Sequence, residues 1–322
     1  MSRNEDVWDR IDVSDWQTAQ AESAGTNEPT WLVHPETGNF WLHKSIHVPR
    51  NKLPQGEDWA EVIATQVALL LGVPCAETRL CVRSGVRGSL SLSVTPDGFD
   101  LNDGGAVLEA TGVPGYFRHT AERKACDPAR PGVRRPGHTL VNIRHVLQDV
   151  KPPEGFQGPD DCMGFDVFAG FMILDALVAN QDRHEENWAV LRARVKDVPD
   201  RLAPSFDHGG SLGYNLTDDK RCLLLDSDAA LAVWAAKGAA QRFEHVRPAK
   251  SLVEHAVEAA ELAAPRAIRW WGCQLEMLDL TPLHDVLRGG QVPEMSEMAA
   301  TFVSRLLERN LGRLRDAICS SS

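Results

Sequence analysis

Apolar residues in the first third of the chain come in short runs divided by turn residues. TrpLeuVal at 31–33 and PheTrpLeu at 40–42 flank a ProGluThrGly turn, which predicts a β-hairpin. The period then changes. Over residues 58–71 the positions Val62, Ile63, Val67, Leu70 and Leu71 recur at helical spacing, and Gly72-Val73-Pro74 supplies a stop signal, so a helix is predicted there. Strand-like runs follow at 78–82 and 89–94. Between 95 and 105 the sequence turns Gly-rich and acidic, the composition expected of a connection between two lobes.

Helical spacing dominates from there on. Residues 164–179 are nearly apolar throughout (Phe165, Val167, Phe168, Phe171, Met172, Ile173, Leu174, Leu177), which predicts a helix buried on most sides and ending in a polar loop. Residues 188–195 and 202–206 read as a short hairpin, and 251–263, 266–278 and 296–317 as amphipathic helices, with Trp270 and Trp271 assigned to the core. Residues 118–138 carry three prolines and six Arg or Lys residues without periodicity, the pattern of a mobile surface loop. No internal repeat is present.

Composition narrows the function classes. A chain of 322 residues, 43% hydrophobic and 25% charged, can bury a sizeable core as one large domain or two lobes. Its formal charge of −11 disfavours broad attraction to nucleic acid or anionic membrane. Seven scattered cysteines without a CxxC pair fit a reducing compartment, and the acidic first thirty residues lack the basic start and apolar run of a signal peptide. A cytoplasmic protein without a membrane span is the expectation.

The segment AsnGlnAspArgHisGluGluAsn, residues 180–187, follows the apolar helix, and SerPheAspHisGlyGly, 205–210, comes after the next strand. Phosphoryl transfer needs a carboxylate to orient the acceptor hydroxyl and oxygen ligands to hold Mg²⁺ against the phosphates of ATP. Asp182, Asn187 five residues on, and Asp207 followed by Gly209 meet that need in order and spacing, with AspArgHis where protein kinases carry HisArgAsp. Each residue alone has a blander explanation: a loop Asp caps or is solvated, Asn187 makes an Asx turn, and Asp207 is a turn acid. The joint pattern outweighs these. A metal-hydrolase reading through His184 and His208 finds no HExxH or HxH pair to support it.

At these residues the chain resembles the HipA-like serine/threonine kinases. The likeness rests on LeuAspAlaLeuValAlaAsnGlnAspArgHis with Asn187 after it, and on LeuAlaProSerPheAspHisGly. It extends back through GlySerLeuSer at 88–91, the helix bearing Glu61 and the strand PheTrpLeuHisLysSer, over residues 20–225. The resemblance implies an α+β, bilobal protein-kinase-like fold: a small, mostly β N-lobe with one helix over 1–98 and a larger, mainly helical C-lobe over 99–322. It implies that Asp182 is the catalytic acid/base, that Asn187 and Asp207 bind Mg²⁺, and that Lys44 contacts the ATP phosphates while held by an ion pair to Glu61. His184 belongs with the nucleotide-binding residues. Gly25 and Thr26 fall in a phosphate-covering loop at 23–29, and the hinge at 94–99, beginning with Val94, faces adenine.

Two departures stand out. Glu28, Pro29 and Thr30 replace the Lys-containing element that similar proteins carry in the phosphate loop, and only about twenty residues precede that loop, where toxin members have an N-terminal strand subdomain. The expected activity is ATP- and Mg²⁺-dependent transfer to a Ser or Thr hydroxyl of a protein substrate, with a regulatory partner protein as a further expectation and Ser23 or Thr26 as candidate autophosphorylation sites. A small-molecule or lipid kinase of the same fold and a nucleotide-binding pseudokinase are the alternatives. The acceptor and the pathway are left open by the residues.

Overall fold

The structure is a computed structural model that describes residues 7–21, 29–49, 53–118 and 127–319. The chain opens with β1 (Arg10–Asp12), β2 (Gln17–Ala21), β3 (Thr30–Val33) and β4 (Phe40–Ser45), continues through helix α1 (Glu57–Leu71), and adds β5 (Thr78–Arg83) and β6 (Val86–Leu92). These strands form one sheet in the order β1-β5-β6-β4-β3-β2, with β1 parallel to β5 and the other pairs antiparallel. Register decides what each face carries. Lys44, Ser89 and Leu80 are paired across β4, β6 and β5, so they share one face, and Leu80 there joins the core under α1. His43 pairs with Leu90 on the opposite face, where Trp41, Leu90, Cys81, Leu32 and Val13 form a separate cluster.

Helix α1 begins with Glu57 and Asp58, the charge sign that suits a helix N-terminus, and ends at Gly72, whose φ of 78° gives the left-handed cap that stops it. Asp58 is buried and gathers Arg10 at 2.9 Å and Arg87 at 3.4 Å, while Arg10 also reaches Glu294 at 2.6 Å. This network ties the β-sheet lobe to the helical one.

The helical lobe contains β7 (Phe99–Asp103), α2 (Gly104–Ala110), α3 (Leu140–Leu147), α4 (Gly164–Val178), β8 (Ala189–Ala193) and β9 (Arg201–Leu202), followed by α5 (Asp218–Leu225), α6 (Asp228–Ala236), α7 (Leu252–Leu262), α8 (Pro265–Met277), α9 (Thr281–Arg288) and α10 (Glu297–Ile318). Every residue of α4 is buried. Its large apolar side chains each contribute on the order of 1.5–3 kcal/mol by burial, and Gly170 lets α8 approach: a Cβ there would lie 2.1 Å from the Trp271 ring. Trp271 completes the joint by donating its indole N–H to the Asp166 carbonyl at 2.8 Å.

Two expectations change. Residues 95–105 are a connection only as far as Gly98; Phe99–Asp103 form β7, paired antiparallel with β8. Phe99 and Leu101 do alternate with Asp100 and Asn102, but over too few residues to mark a strand within a Gly-rich, acidic stretch, and β8 supplies the edge on which the strand forms. Residues 118–138 were expected to be a mobile surface loop, yet the described part, 127–138, is anchored. Arg130 bridges Asp127 and both carboxylate oxygens of Glu244, Arg134 pairs with His245 through backbone hydrogen bonds, and His138 is buried. Glu244 and His245 lie more than a hundred residues away, so no local pattern announces them.

His255 on α7 is buried against the Phe243 ring at 4.2 Å, with Glu258 3.8 Å from Nδ1. Burial first, then the repulsion of His138 and Lys250, lowers its pKa to about 3. A His kept neutral in the fold contributes stability that is full above its ordinary pKa near 6.5 and is lost as pH falls toward the folded value, at up to about 1.4 kcal/mol per pH unit. Chemical denaturation at pH 7 and pH 5 should therefore show an acid loss of stability that is smaller in a His255→Leu variant; equal losses in both proteins would refute the assignment.

Candidate active site

The loop after α4 is built around a buried ion pair. Arg183 presents a two-pronged contact to Asp175 on the last turn of α4, Nε to Oδ2 at 2.9 Å and an Nη to Oδ1 at 2.8 Å, and donates from its other Nη to the carbonyls of Asn187 at 2.7 Å and Phe206 at 3.3 Å. One guanidinium thus fixes the helix, the loop and the segment leading to Asp207. Asn180 adds a second brace, donating to Asp175 Oδ1 at 2.8 Å and accepting from the Asp182 N–H at 3.0 Å.

Asp182 projects from the braced loop with its carboxylate 43% exposed and Oδ1 2.5 Å from a guanidinium nitrogen of Arg242. Asn187 donates its side-chain N–H to the Asp182 carbonyl at 2.9 Å, which leaves its Oδ1 without a protein partner among the described residues. His184 closes the turn: its amide donates to the Asp182 carbonyl at 2.7 Å and its ring Nδ1 accepts from the Glu186 N–H at 3.2 Å.

Asp207 faces this loop from the β-lobe side. Backbone hydrogen bonds of Ser205 with Pro74 and Ala76, both 2.8 Å, stitch its segment to the chain between α1 and β5. The Lys44 ammonium lies 2.7 Å from Asp207 Oδ1. Burial alone would raise the Asp207 pKa, but Lys44, with His208 and His184 behind it, holds it below the ordinary carboxylate value. For Lys44 burial acts to lower the pKa, and the carboxylates of Asp207, Glu61 and Asp182 outweigh it and raise it. Both groups are charged near neutrality.

The expected Lys44–Glu61 ion pair is not formed. Glu61 is buried and its Oε2 accepts the His208 N–H at 2.8 Å, while Oε1 lies 3.6 Å from the His208 ring. His208 donates or accepts at Ser205 Oγ, 2.8 Å from Nε2. Burial works against its charged form, yet Cys75 and Glu61 push the pKa up to about 10. Glu61 therefore acts on Lys44 at longer range and positions the backbone after Asp207. Asp207 itself takes the left-handed conformation, φ 62°, and Gly209 allows close packing, since a Cβ there would sit 3.3 Å from Glu61 Oε2 and from the Glu57 carbonyl.

Val94 packs with Phe99 and Phe206 against Ala189, Leu191 and Ala203, a small apolar cluster next to the Asp207 segment. Gly25 and Thr26, with Ser23 and Glu28, lie outside the described residues. Sequence reasoning missed Asp175, Arg242 and the contact of His208 with Glu61: Asp175 reads as one polar interruption of an apolar helix, and Arg242 is sixty positions from the acid it meets. Among the described residues no group of three or more His, Cys, Asp or Glu side chains converges as a metal cage. Asn187 Oδ1 and the Asp207 carboxylate are hard oxygen donors that suit Mg²⁺, an ion usually bound by one or two protein groups together with phosphate oxygens and water.

A β-sheet lobe joined to a helical lobe, with an acid-bearing loop and a Lys–Asp pair between them, defines a kinase-like fold. Helicobacter pylori CtkA, described as a proinflammatory kinase, superposes with a TM-score of 0.67 at 16% identity, covering 98% of this chain and 100% of that one. HipA of the Shewanella oneidensis MR-1 toxin–antitoxin system, solved with HipB and operator DNA, matches at a TM-score of 0.43 and 11% identity over 94% of this chain and 68% of its own. No protein-family model matches the chain, and no curated protein matches its sequence. The bilobal kinase-like fold implied by the sequence resemblance is the one the chain adopts. Among the described residues no helix is long and apolar enough to cross a membrane.

Proposed function

We propose that the chain is an ATP- and Mg²⁺-dependent phosphotransferase acting on a Ser or Thr hydroxyl of a protein. The Lys44–Asp207 ion pair, set between the lobes beside the Asp182–Asn187 loop, is the observation that carries this reading. Asp182 orients the acceptor hydroxyl and takes its proton as the hydroxyl oxygen bonds to the γ-phosphorus; the bond from that phosphorus to the β,γ-bridging oxygen breaks and ADP leaves. Lys44 holds the phosphates. Asn187 Oδ1 and Asp207 would hold Mg²⁺, which when bound neutralises charge on the transferring group. We place adenine against the backbone of 94–99, over the Val94 cluster, and the lobe boundary between 98 and 99. A protein acceptor is favoured because Arg134, Gln241 and Arg247, which rim the cavity next to Asp182, are exposed, so the acceptor side is open to a chain segment.

Purified protein incubated with γ-labelled ATP, Mg²⁺ and protein extract tests the reading. Asp207→Asn and Lys44→Met should each reduce label transfer by about 10²- to 10³-fold, with circular dichroism unchanged. Transfer that persists at the wild-type rate in both variants, or is missing from the wild type, would sink it.

A further inference from the structure

Asp182 opens into a cavity of about 710 Å³ whose lining is opposite in sign to the protein as a whole. Four arginines, Arg134, Arg135, Arg242 and Arg247, and His245 line it, against one carboxylate, that of Asp182; the chain carries a net charge of −11. Concentrating guanidinium groups at one concavity of an acidic protein works against folding through mutual repulsion, and the natural return for it is an anionic ligand. Two acids beside the cavity wall, Glu185 and Glu244, are already engaged. Glu185 faces Arg135 at 3.4 Å, and Glu244 is held by Arg130 and by the Gly137 N–H at 2.6 Å. Arg134 and Arg247 are exposed at the rim and make no ion pair among the described residues. Arg135 is presented by a left-handed backbone, φ 51°, uncommon for a residue with a side chain, and is nearly buried in the wall.

Arg242 links this lining to the chemistry. Its guanidinium sits 2.5 Å from Asp182, so the carboxylate that must meet the acceptor hydroxyl is neutralised while no acceptor is bound. An incoming negative charge beside the hydroxyl would offer Arg242 a second partner and release Asp182 to the hydroxyl proton.

We propose that the phosphoryl acceptor is an acidic protein segment, a Ser or Thr flanked by Asp or Glu, bound by the arginine-lined cavity; this rests on the phosphotransfer reading above. Arg134 and Arg247 take flanking carboxylates at the rim, and Arg242 exchanges Asp182 for a carboxylate adjacent to the acceptor. A peptide is favoured over nucleic acid because the chain as a whole carries a net charge of −11, which disfavours the extended contact that a phosphate backbone makes beyond a single cavity.

The test uses three fluorescein-labelled peptides with a central Ser flanked by Glu and Asp, by Gln and Asn, or by Lys and Arg. Binding to the full chain is measured by anisotropy in the presence of a non-hydrolysable ATP analogue and Mg²⁺, and phosphorylation by transfer from γ-labelled ATP. The acidic peptide should bind at least about tenfold more tightly than the neutral one, lose that advantage in an Arg134→Glu/Arg247→Glu variant whose circular dichroism matches wild type, and be the peptide labelled. Equal binding of the acidic and neutral peptides, unchanged binding by the variant, or stronger competition from a single-stranded oligonucleotide than from unlabelled acidic peptide overturns the proposal. Arginine-dependent binding of the acidic peptide with no transfer to any peptide or protein overturns the acceptor assignment together with the phosphotransfer reading. Transfer to extract proteins with no preference among the peptides overturns the acidic acceptor alone.

Discussion

Asp182→Asn should abolish at least about 10³-fold of label transfer from ATP while leaving the fold in place, because the substitution removes a proton acceptor without removing a structural brace. What holds the loop is the Asp182 backbone, through its N–H to Asn180 and its carbonyl to Asn187 and His184, and none of these contacts uses the carboxylate. The carboxylate itself is 43% exposed and meets Arg242, a half-exposed partner, so its loss should change stability by no more than about 1 kcal/mol. Initial rates with γ-labelled ATP, read beside a melting curve, separate the two effects. A variant that is inactive but has also lost several degrees of melting temperature would show that the carboxylate is a structural anchor, contrary to the reading.

Asp175→Asn should produce the opposite profile: a large loss of stability, with activity falling as a result. Arg183 is 2% exposed and Asp175 4%, so removing the carboxylate strands a buried guanidinium, a change that costs about 3–5 kcal/mol. The damage would spread, because the same guanidinium donates to the Asn187 and Phe206 carbonyls and so aligns both segments of the site. Urea denaturation should place the midpoint of Asp175→Asn well below wild type. An Asp175→Leu/Arg183→Met double variant should recover part of the loss, since no charge is then left buried, though the two carbonyls lose their donor. A midpoint within experimental error of wild type for Asp175→Asn would mean that the pair is hydrated and does not organise the loop.

The two predictions differ because two aspartates seven residues apart occupy different surroundings, and the chain shows only part of that difference. Asp175 lies within a nearly apolar run, where an unpartnered charge would be costly, so a buried partner could be anticipated; that the partner is Arg183 depends on how the chain turns after Ala179, whose left-handed φ of 55° ends α4. Asp182 lies in a polar loop, which says nothing of Arg242.

Local patterning determined the elements with strong periodicity: the β3–β4 hairpin, α1 with its Gly72 stop, the buried α4 and the amphipathic α7, α8 and α10 were all legible, because each buries a face whose spacing is written within one or two turns. That Asp182, Asn187 and Asp207 lie near one another was legible for a related reason, as residues at the ends of consecutive elements stay close together in the chain. The tertiary structure alone decided which charges meet. It gave Lys44 to Asp207 and turned Glu61 toward His208, placed the left-handed residue at Asp207 and the close approach at Gly209, made β7 a strand by supplying β8, and folded 127–138 into an arginine-bearing wall beside Asp182. Ion pairs and cavity walls bring together residues as far as 284 positions apart, as in Arg10 with Glu294, and their energies depend on distance and burial, quantities that do not exist until the chain has folded.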